Sequence, residues 1–297
     1  MSALAFTILA VLLVGPAPAL LARASWPLCA PRAAMVLWQA IALAAVLSAF
    51  SAGIAITSRL LMPGPDGRPT ARIVGDAGRL GWPLWAAYIA AFALTVLVGV
   101  RLMAAVVRVA IANRRRRAHH RMVVDLVGVV HDAALAQPCA WTRDLRVLEV
   151  AQPLAYCLPG VRSRVVVSEG TLSTLSGDEV AAILTHERAH LRARHDLVLE
   201  AFTAVHAAFP RLVRSSNALG AVQLLVELLA DDAAVRAAGR APLARALVAC
   251  ASGRAPSGAL ASGGPSTLLR VRRLSGHTVA QRTSGRPKCL GQGGTRR

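Results

Sequence analysis

Residues 33–56 run for 24 positions without a single charge, and this stretch limits the fold more than anything else in the sequence. As an α-helix rising about 1.5 Å per residue, a run of that length exceeds the roughly 30 Å hydrocarbon core of a bilayer. A helix also satisfies its own backbone hydrogen bonds, which lipid cannot do for it. Two more apolar runs stand nearby. Residues 2–21 lack the basic start of a secretory signal and are long for one, so they read as a span, with Pro16 and Pro18 bending or shortening it. Residues 82–100 form the third, with Trp82, Trp85 and Tyr88 at one end as an interfacial aromatic belt. Three transmembrane helices are therefore expected in the first part of the chain.

Composition narrows the function. Lys+Arg number 34 against 15 Asp+Glu, a net charge of +19, yet 55% of the chain is hydrophobic and only 16% charged. A disordered basic tail would not be so apolar, and an ordinary soluble domain would carry more charge. The cations are arginines apart from Lys288. Arg101, Arg108, Arg114–Arg117 and Arg121 follow the third run and mark the cytoplasmic side. The 57–80 loop, with its Pro-Gly-Pro-Asp-Gly turn signal, then faces outward, although it carries four arginines of its own. Anionic headgroups are the nearest partner for this cluster, and 4% aromatic residues leave little for stacking bases. A lipid bilayer is thus an expected partner, and nucleic acid is disfavoured.

Residues 1–100 hold only Asp66 and Asp76, and no acid follows Asp232, so carboxylates for chemistry must come from 125–232. The five cysteines are scattered with no CxxC pair, which argues against a disulfide framework or a thiolate zinc knuckle and for incidental thiols. The expected organisation is a transmembrane region at 1–121, a folded domain at 122–240 and a basic, Gly/Ser-rich, disordered tail at 241–297.

Within 122–240 the pattern changes to short β-branched segments. Residues 145–150 and 164–168 read as strands, and 153–158 as a short edge strand. Ser176 and Glu179 form a capping box that opens a helix to about residue 194, and the apolar stretches 197–210 and 217–230 have the length of buried helices. The capped helix carries His186-Glu187-Arg188-Ala189-His190, an HExxH motif. Histidines at i and i+4 share one face and can reach one metal ion, while Glu187 beside them can take a proton from a metal-bound water. A catalytic zinc site usually adds a third protein ligand. Asp196, His195 and Glu227 are the candidates. Asp196 lacks the glycine that would turn the chain toward the ion, and His195 points to another face of a continuing helix. Glu227 is a lone carboxylate in an apolar helix that needs a partner there. Asp231, one turn on, can accept the free N–H of a ligand imidazole. Asp232 suits a solvent or arginine contact.

These motifs carry a resemblance. CLPG (157–160), RVVVSEGTL (164–172), HERAHLRARHD (186–196) and ELLADDAA (227–234) are similar to the gluzincin membrane peptidases, which pair HExxH with a downstream ExxAD. That group includes the HtpX-like and CAAX-prenyl endopeptidases, and the sequence resembles most the BlaR/MecR-type antirepressor metallopeptidases. The resemblance implies a membrane α-helical protein with a small α+β, mostly helical, zincin-like peptidase domain on the cytoplasmic side of a bacterial plasma membrane. It implies one zinc ion on His186, His190 and Glu227, with Glu187 as general base and Asp231 orienting a ligand histidine. It further implies an edge strand near 153–157 that holds an extended peptide, and a substrate that is a cytoplasmic transcriptional repressor or the chain itself. The antibiotic-sensing members carry an external penicillin-binding domain after a fourth span, and from about residue 275 this sequence has no apolar run long enough to cross a membrane. The rival reading is a non-catalytic signalling component built on the same fold, against which stands the intact HExxH.

Overall fold

The computed structural model describes residues 2–57, 62–63, 69–70, 81–128, 144–160, 163–210, 215–251, 260–261 and 266–276. Most of the expected outward loop and the end of the expected tail lie outside the described residues. The chain divides into two compact units. Residues 1–24, 34–110 and 200–222 form a helical unit, and the remainder forms a unit built on a small sheet.

The helical unit begins with α1 (Ser2–Val14) and α2 (Pro16–Arg23). Pro16 cannot donate a backbone hydrogen bond, so the run breaks at Gly15 and restarts with proline at the head of α2. Helix α3 (Pro31–Thr57) and helix α4 (Trp82–Val127) follow. Residues 3–23, 31–57 and 82–127 are each long and apolar enough to cross a membrane. Their surface suits lipid: Phe92, Leu94, Leu97 and Val100 are all more than half exposed. Helix α4 does not stop at its expected boundary near residue 100. It continues through the arginine cluster for 46 residues, about 69 Å at 1.5 Å per residue.

Small residues let α3 and α4 approach. A Cβ on Gly53 would stand 2.1 Å from Thr95 Oγ1, and one on Gly99 would stand 3.3 Å from the Phe50 ring. Only glycine fits the first position, as at close helix crossings in membranes. The same unit holds an apolar cavity of about 250 Å³, lined among others by Trp38, Phe50, Leu102 and Phe202.

Within the helical unit β1 (Met62–Pro63) pairs antiparallel with β2 (Pro69–Thr70), and the second unit carries a four-stranded sheet in the order β3-β5-β4-β6. Strand β3 (Leu145–Leu148) is parallel to β5 (Arg164–Ser168), with Leu145 opposite Val165. Strand β4 (Ala155–Leu158) is antiparallel to β5, with Cys157 opposite Val165. Alternation sorts these strands onto two faces. Leu145, Val147, Ala155, Cys157, Val165 and Val167 join one buried core with Ile183, Leu243 and Leu247. Tyr156, Leu158 and Val166 face the other way, onto Val124 of α4. Each fully buried aliphatic side chain contributes roughly 1.5–3 kcal/mol, so the sheet is secured from both faces.

Helix α5 (Glu169–Thr174) is followed by α6 (Gly177–Arg192), which bears the HExxH sequence. The capping box is present: the Ser176 amide donates to Glu179 Oε2 at 3.0 Å. Glu179 is also paired with Arg245. Helix α7 (His195–Ala208) starts at once, because Arg194 adopts φ 50° and turns the chain. Helix α8 (Ser215–Ala238) ends at Gly239, whose φ of 90° is the left-handed conformation glycine tolerates best.

Two expectations are corrected here. First, residues 240–251 and 266–276 are not a structureless tail: they hold α9 (Arg240–Cys250) and α10 (Thr267–Leu274), with strand β6 (Leu260–Ala261) between them. Low acidity and many small residues suggested disorder, but Leu243 and Leu247, one turn apart on α9, and Leu274 on α10 are buried in the core. Second, β4 is not an edge strand. Its outer side is paired antiparallel with β6, Tyr156 opposite Ala261 and Cys157 opposite Leu260. The cysteine expectation also needs amending: Cys157 and Cys250 are buried free thiols, whereas Cys29 is disulfide-bonded.

Candidate metal centre

Helix α6 aims both motif histidines inward, and each is fully buried. Helix α8 brings Glu227 to them. His186 Nε2 and His190 Nε2 lie 3.2 Å apart, His186 Nε2 lies 3.4 Å from Glu227 Oε2, and His190 Nε2 lies 3.7 Å from Glu227 Oε1. Bond lengths of 2.0–2.2 Å to a tetrahedral zinc put ligand atoms about 3.4 Å apart, so the two nitrogens and the Glu227 carboxylate lie at spacings suited to one ion. Among the described residues, His186, His190 and Glu227 form the cluster able to hold a metal.

Each imidazole is tied from behind. His186 Nδ1 stands 3.0 Å from Asp231 Oδ1, and His190 Nδ1 stands 3.1 Å from His195 Nδ1. The two Nε2 atoms face one another and the Glu227 carboxylate, and the Arg270 guanidinium approaches the same point, its Nη2 3.4 Å from His186 Nε2. The donor set of two imidazoles and one carboxylate is what zinc prefers when a fourth position stays open. The residues present therefore fit zinc.

Sequence comparison bears on the same helices. The model of peptidase family M48 matches residues 113–278, more than half of the chain. The chain belongs to peptidase family M48. No curated protein and no solved structure matches it. M48 peptidases are zinc-dependent metalloproteases, so membership makes this a membrane-associated zinc metallopeptidase with three helices suited to a bilayer.

The remaining expected residues fall in distinct places. Glu187 is completely buried beside the cluster, and neither of its oxygens makes a hydrogen bond of normal geometry. Burial, reinforced by the Glu227 charge, pushes its pKa up to about 8 despite the opposing His186 charge. Burial would lower His186, yet its contacts with Asp231 and Glu227 raise it to about 9. His190, with no carboxylate behind it, is pulled down to about 3 by burial. Burial favours the neutral form of Glu227, but His190, His186 and Arg270 outweigh it and hold the pKa at about 2. Asp231 is lowered likewise: contacts with Arg270 and His186 overcome its burial. Asp196 stays outside the cluster, paired with Arg117 at 3.3 Å and Arg194 at 3.4 Å, and Asp232 pairs with Arg273 at 2.8 Å.

Sequence reading missed two members of this M48 site. His195 was expected on another face of a continuing helix, but the left-handed Arg194 breaks the helix and folds His195 back onto His190. Arg270 was assigned to the tail, yet it is 1% exposed and reaches Asp231 with Nε at 2.8 Å and Nη2 at 2.6 Å. Its Nη1 lies 2.8 Å from Glu227 Oε2. The available signal was the segment Leu-Leu-Arg-Val-Arg-Arg-Leu at 268–274, which mixes apolar and cationic positions at helical spacing.

Proposed function

We propose that this M48 protein is a zinc endopeptidase whose ion is held by His186, His190 and Glu227, with Glu187 as general base and Asp231 orienting His186. The observation that carries the reading is the pair of Nε2 atoms 3.2 Å apart on the HExxH helix, with the Glu227 carboxylate of the partner helix 3.4 and 3.7 Å from them. Bound zinc would supply a Lewis acid that lowers the pKa of a coordinated water and polarises the scissile carbonyl. Glu187 would accept the proton of the attacking water and return it to the leaving amine. Its raised pKa suits both directions of that transfer, since a proton shuttle works best with a pKa near the working pH. Asp231 and His195 would fix the ring planes so that each Nε2 keeps its lone pair on the ion.

The arginines that follow the apolar part of α4 support a peptidase unit on the cytoplasmic side of a bacterial plasma membrane. The antirepressor resemblance makes a cytoplasmic transcriptional repressor the substrate to try first. The test is zinc stoichiometry by mass spectrometry on detergent-purified protein, wild type beside Glu227→Ala, together with cleavage of an unfolded protein substrate. One zinc per chain, reduced in the variant along with cleavage, is the expected result. Equal zinc in both proteins would remove Glu227 from the ligand set, and stoichiometric zinc without cleavage of any substrate would favour the non-catalytic reading.

A further inference from the structure

The geometry points to Arg270 as a positioning residue of the metal centre: it clamps Asp231 and takes one oxygen of Glu227, so that Glu227 offers the ion a single oxygen. This rests on the zinc reading above. Glu227 and Asp231 are one turn apart on α8, like charges on one helix face that repel each other. Asp231 is buried and Glu227 half-buried beside the histidines, where an unpaired carboxylate is costly. The Arg270 guanidinium lies between them and meets both, Nε and Nη2 on Asp231 and Nη1 on Glu227 Oε2. Only a planar fork with several donors can make that set of contacts, and the point charge of a lysine cannot.

The consequence runs through two atoms. Asp231 Oδ1 is shared between Arg270 Nη2 at 2.6 Å and His186 Nδ1 at 3.0 Å, so the clamp on Asp231 also sets the His186 ring. Glu227 Oε2, 3.4 Å from His186 Nε2, is ion-paired with Arg270 Nη1, which leaves Oε1, 3.7 Å from His190 Nε2, as the oxygen without a cationic partner to give to the ion. Without Arg270 the carboxylate is free to bind through both oxygens and raise the coordination number, which would use up the position a water needs. Arg270 comes from α10, so the segment following α9 completes a site whose other residues all lie between 186 and 231.

The experiment measures zinc affinity by chelator competition, and the visible spectrum after cobalt(II) substitution, on the full detergent-purified chain. The proteins are wild type, Arg270→Lys, Arg270→Gln, Asp231→Asn and the Asp231→Asn/Arg270→Gln pair. Loss of an outer partner typically weakens metal binding about 10–100-fold, and we expect that loss for both Arg270 variants. The cobalt spectrum should move toward the weaker bands of a higher coordination number. The double variant removes both charges of the clamp, so it folds even if Arg270→Gln leaves Asp231 too costly to bury. Its affinity should fall at least as far as that of Asp231→Asn alone, and its cobalt spectrum should shift as in Arg270→Gln, because the Glu227 contact is lost as well. Unchanged affinity and an unchanged cobalt spectrum in a folded Arg270 variant would overturn the inference. Tighter zinc binding would overturn it too, since Arg270 would then compete with the ion. If wild type binds no zinc, the metal reading itself fails, a result distinct from either of these.

Discussion

Glu187→Gln separates stability from catalysis in one substitution. The side chain is wholly buried, its oxygens lack hydrogen bonds of normal geometry, and its pKa stands at about 8 against an ordinary 4.5. A carboxyl raised in this way binds more protons folded than unfolded, so its presence costs stability progressively as pH rises from 4.5 to 8. At about 1.4 kcal/mol per decade, the cost is about 3 kcal/mol at pH 7 and under about 1 kcal/mol at pH 5. Glutamine has the same shape and no charge at either pH. Its amide, left without partners, costs roughly 1–3 kcal/mol, but that penalty does not vary with pH. The stability of Glu187→Gln relative to wild type should therefore improve by roughly 2–3 kcal/mol between pH 5 and pH 7. For a domain of this size that is roughly 5–10 °C in the difference of melting temperatures. The assay is thermal unfolding in detergent with the metal chelated, at both pH values, followed by proteolysis with zinc restored. The variant should bind zinc and cleave nothing. A melting difference that does not change with pH would refute the burial argument, and an active variant would refute the general-base role.

Three further outcomes follow from the geometry. His186 has its pKa raised to about 9 from 6.5, so its proton stabilises the metal-free fold fully below pH 6.5, and that contribution vanishes as pH rises through 9. The same proton must leave before an ion binds, so zinc affinity measured by chelator competition should rise by up to about tenfold per pH unit below 9, and a flat profile would contradict the shift. His195→Ala removes the group behind His190 and should weaken zinc binding by about tenfold with the unit still folded, whereas full affinity would make that contact incidental. Gly53→Val drives a side chain into Thr95 and should cost about 1–3 kcal/mol in detergent melts, part of it restored by Thr95→Ala; no loss would show that α3 and α4 do not meet there.

Much of the site was legible because its residues are local in sequence. HExxH lies within one helix, so the 3.6-residue period alone places His186 and His190 on one face. Glu227 and Asp231 stand out as carboxylates in an apolar helix, where each needs a partner. The three apolar runs were equally plain, since length and lack of charge suffice to suit a bilayer. What failed to show were events that local pattern does not encode. The turn at Arg194 is a left-handed arginine, a conformation propensity argues against, and it decides where His195 goes. The occupied edge of β4 depends on residues more than a hundred positions later.

By itself, the sequence determined the membrane-suited helices, the motif pair and the carboxylates near it, because each is a matter of spacing or composition along a single element. Tertiary structure alone decided that His195 stands behind His190, that β6 covers β4, and that Arg270 lies between Glu227 and Asp231. The physical reason is charge. A guanidinium in a basic, low-complexity stretch reads as solvated, and it becomes a buried partner only when folding gathers two carboxylates that need its charge.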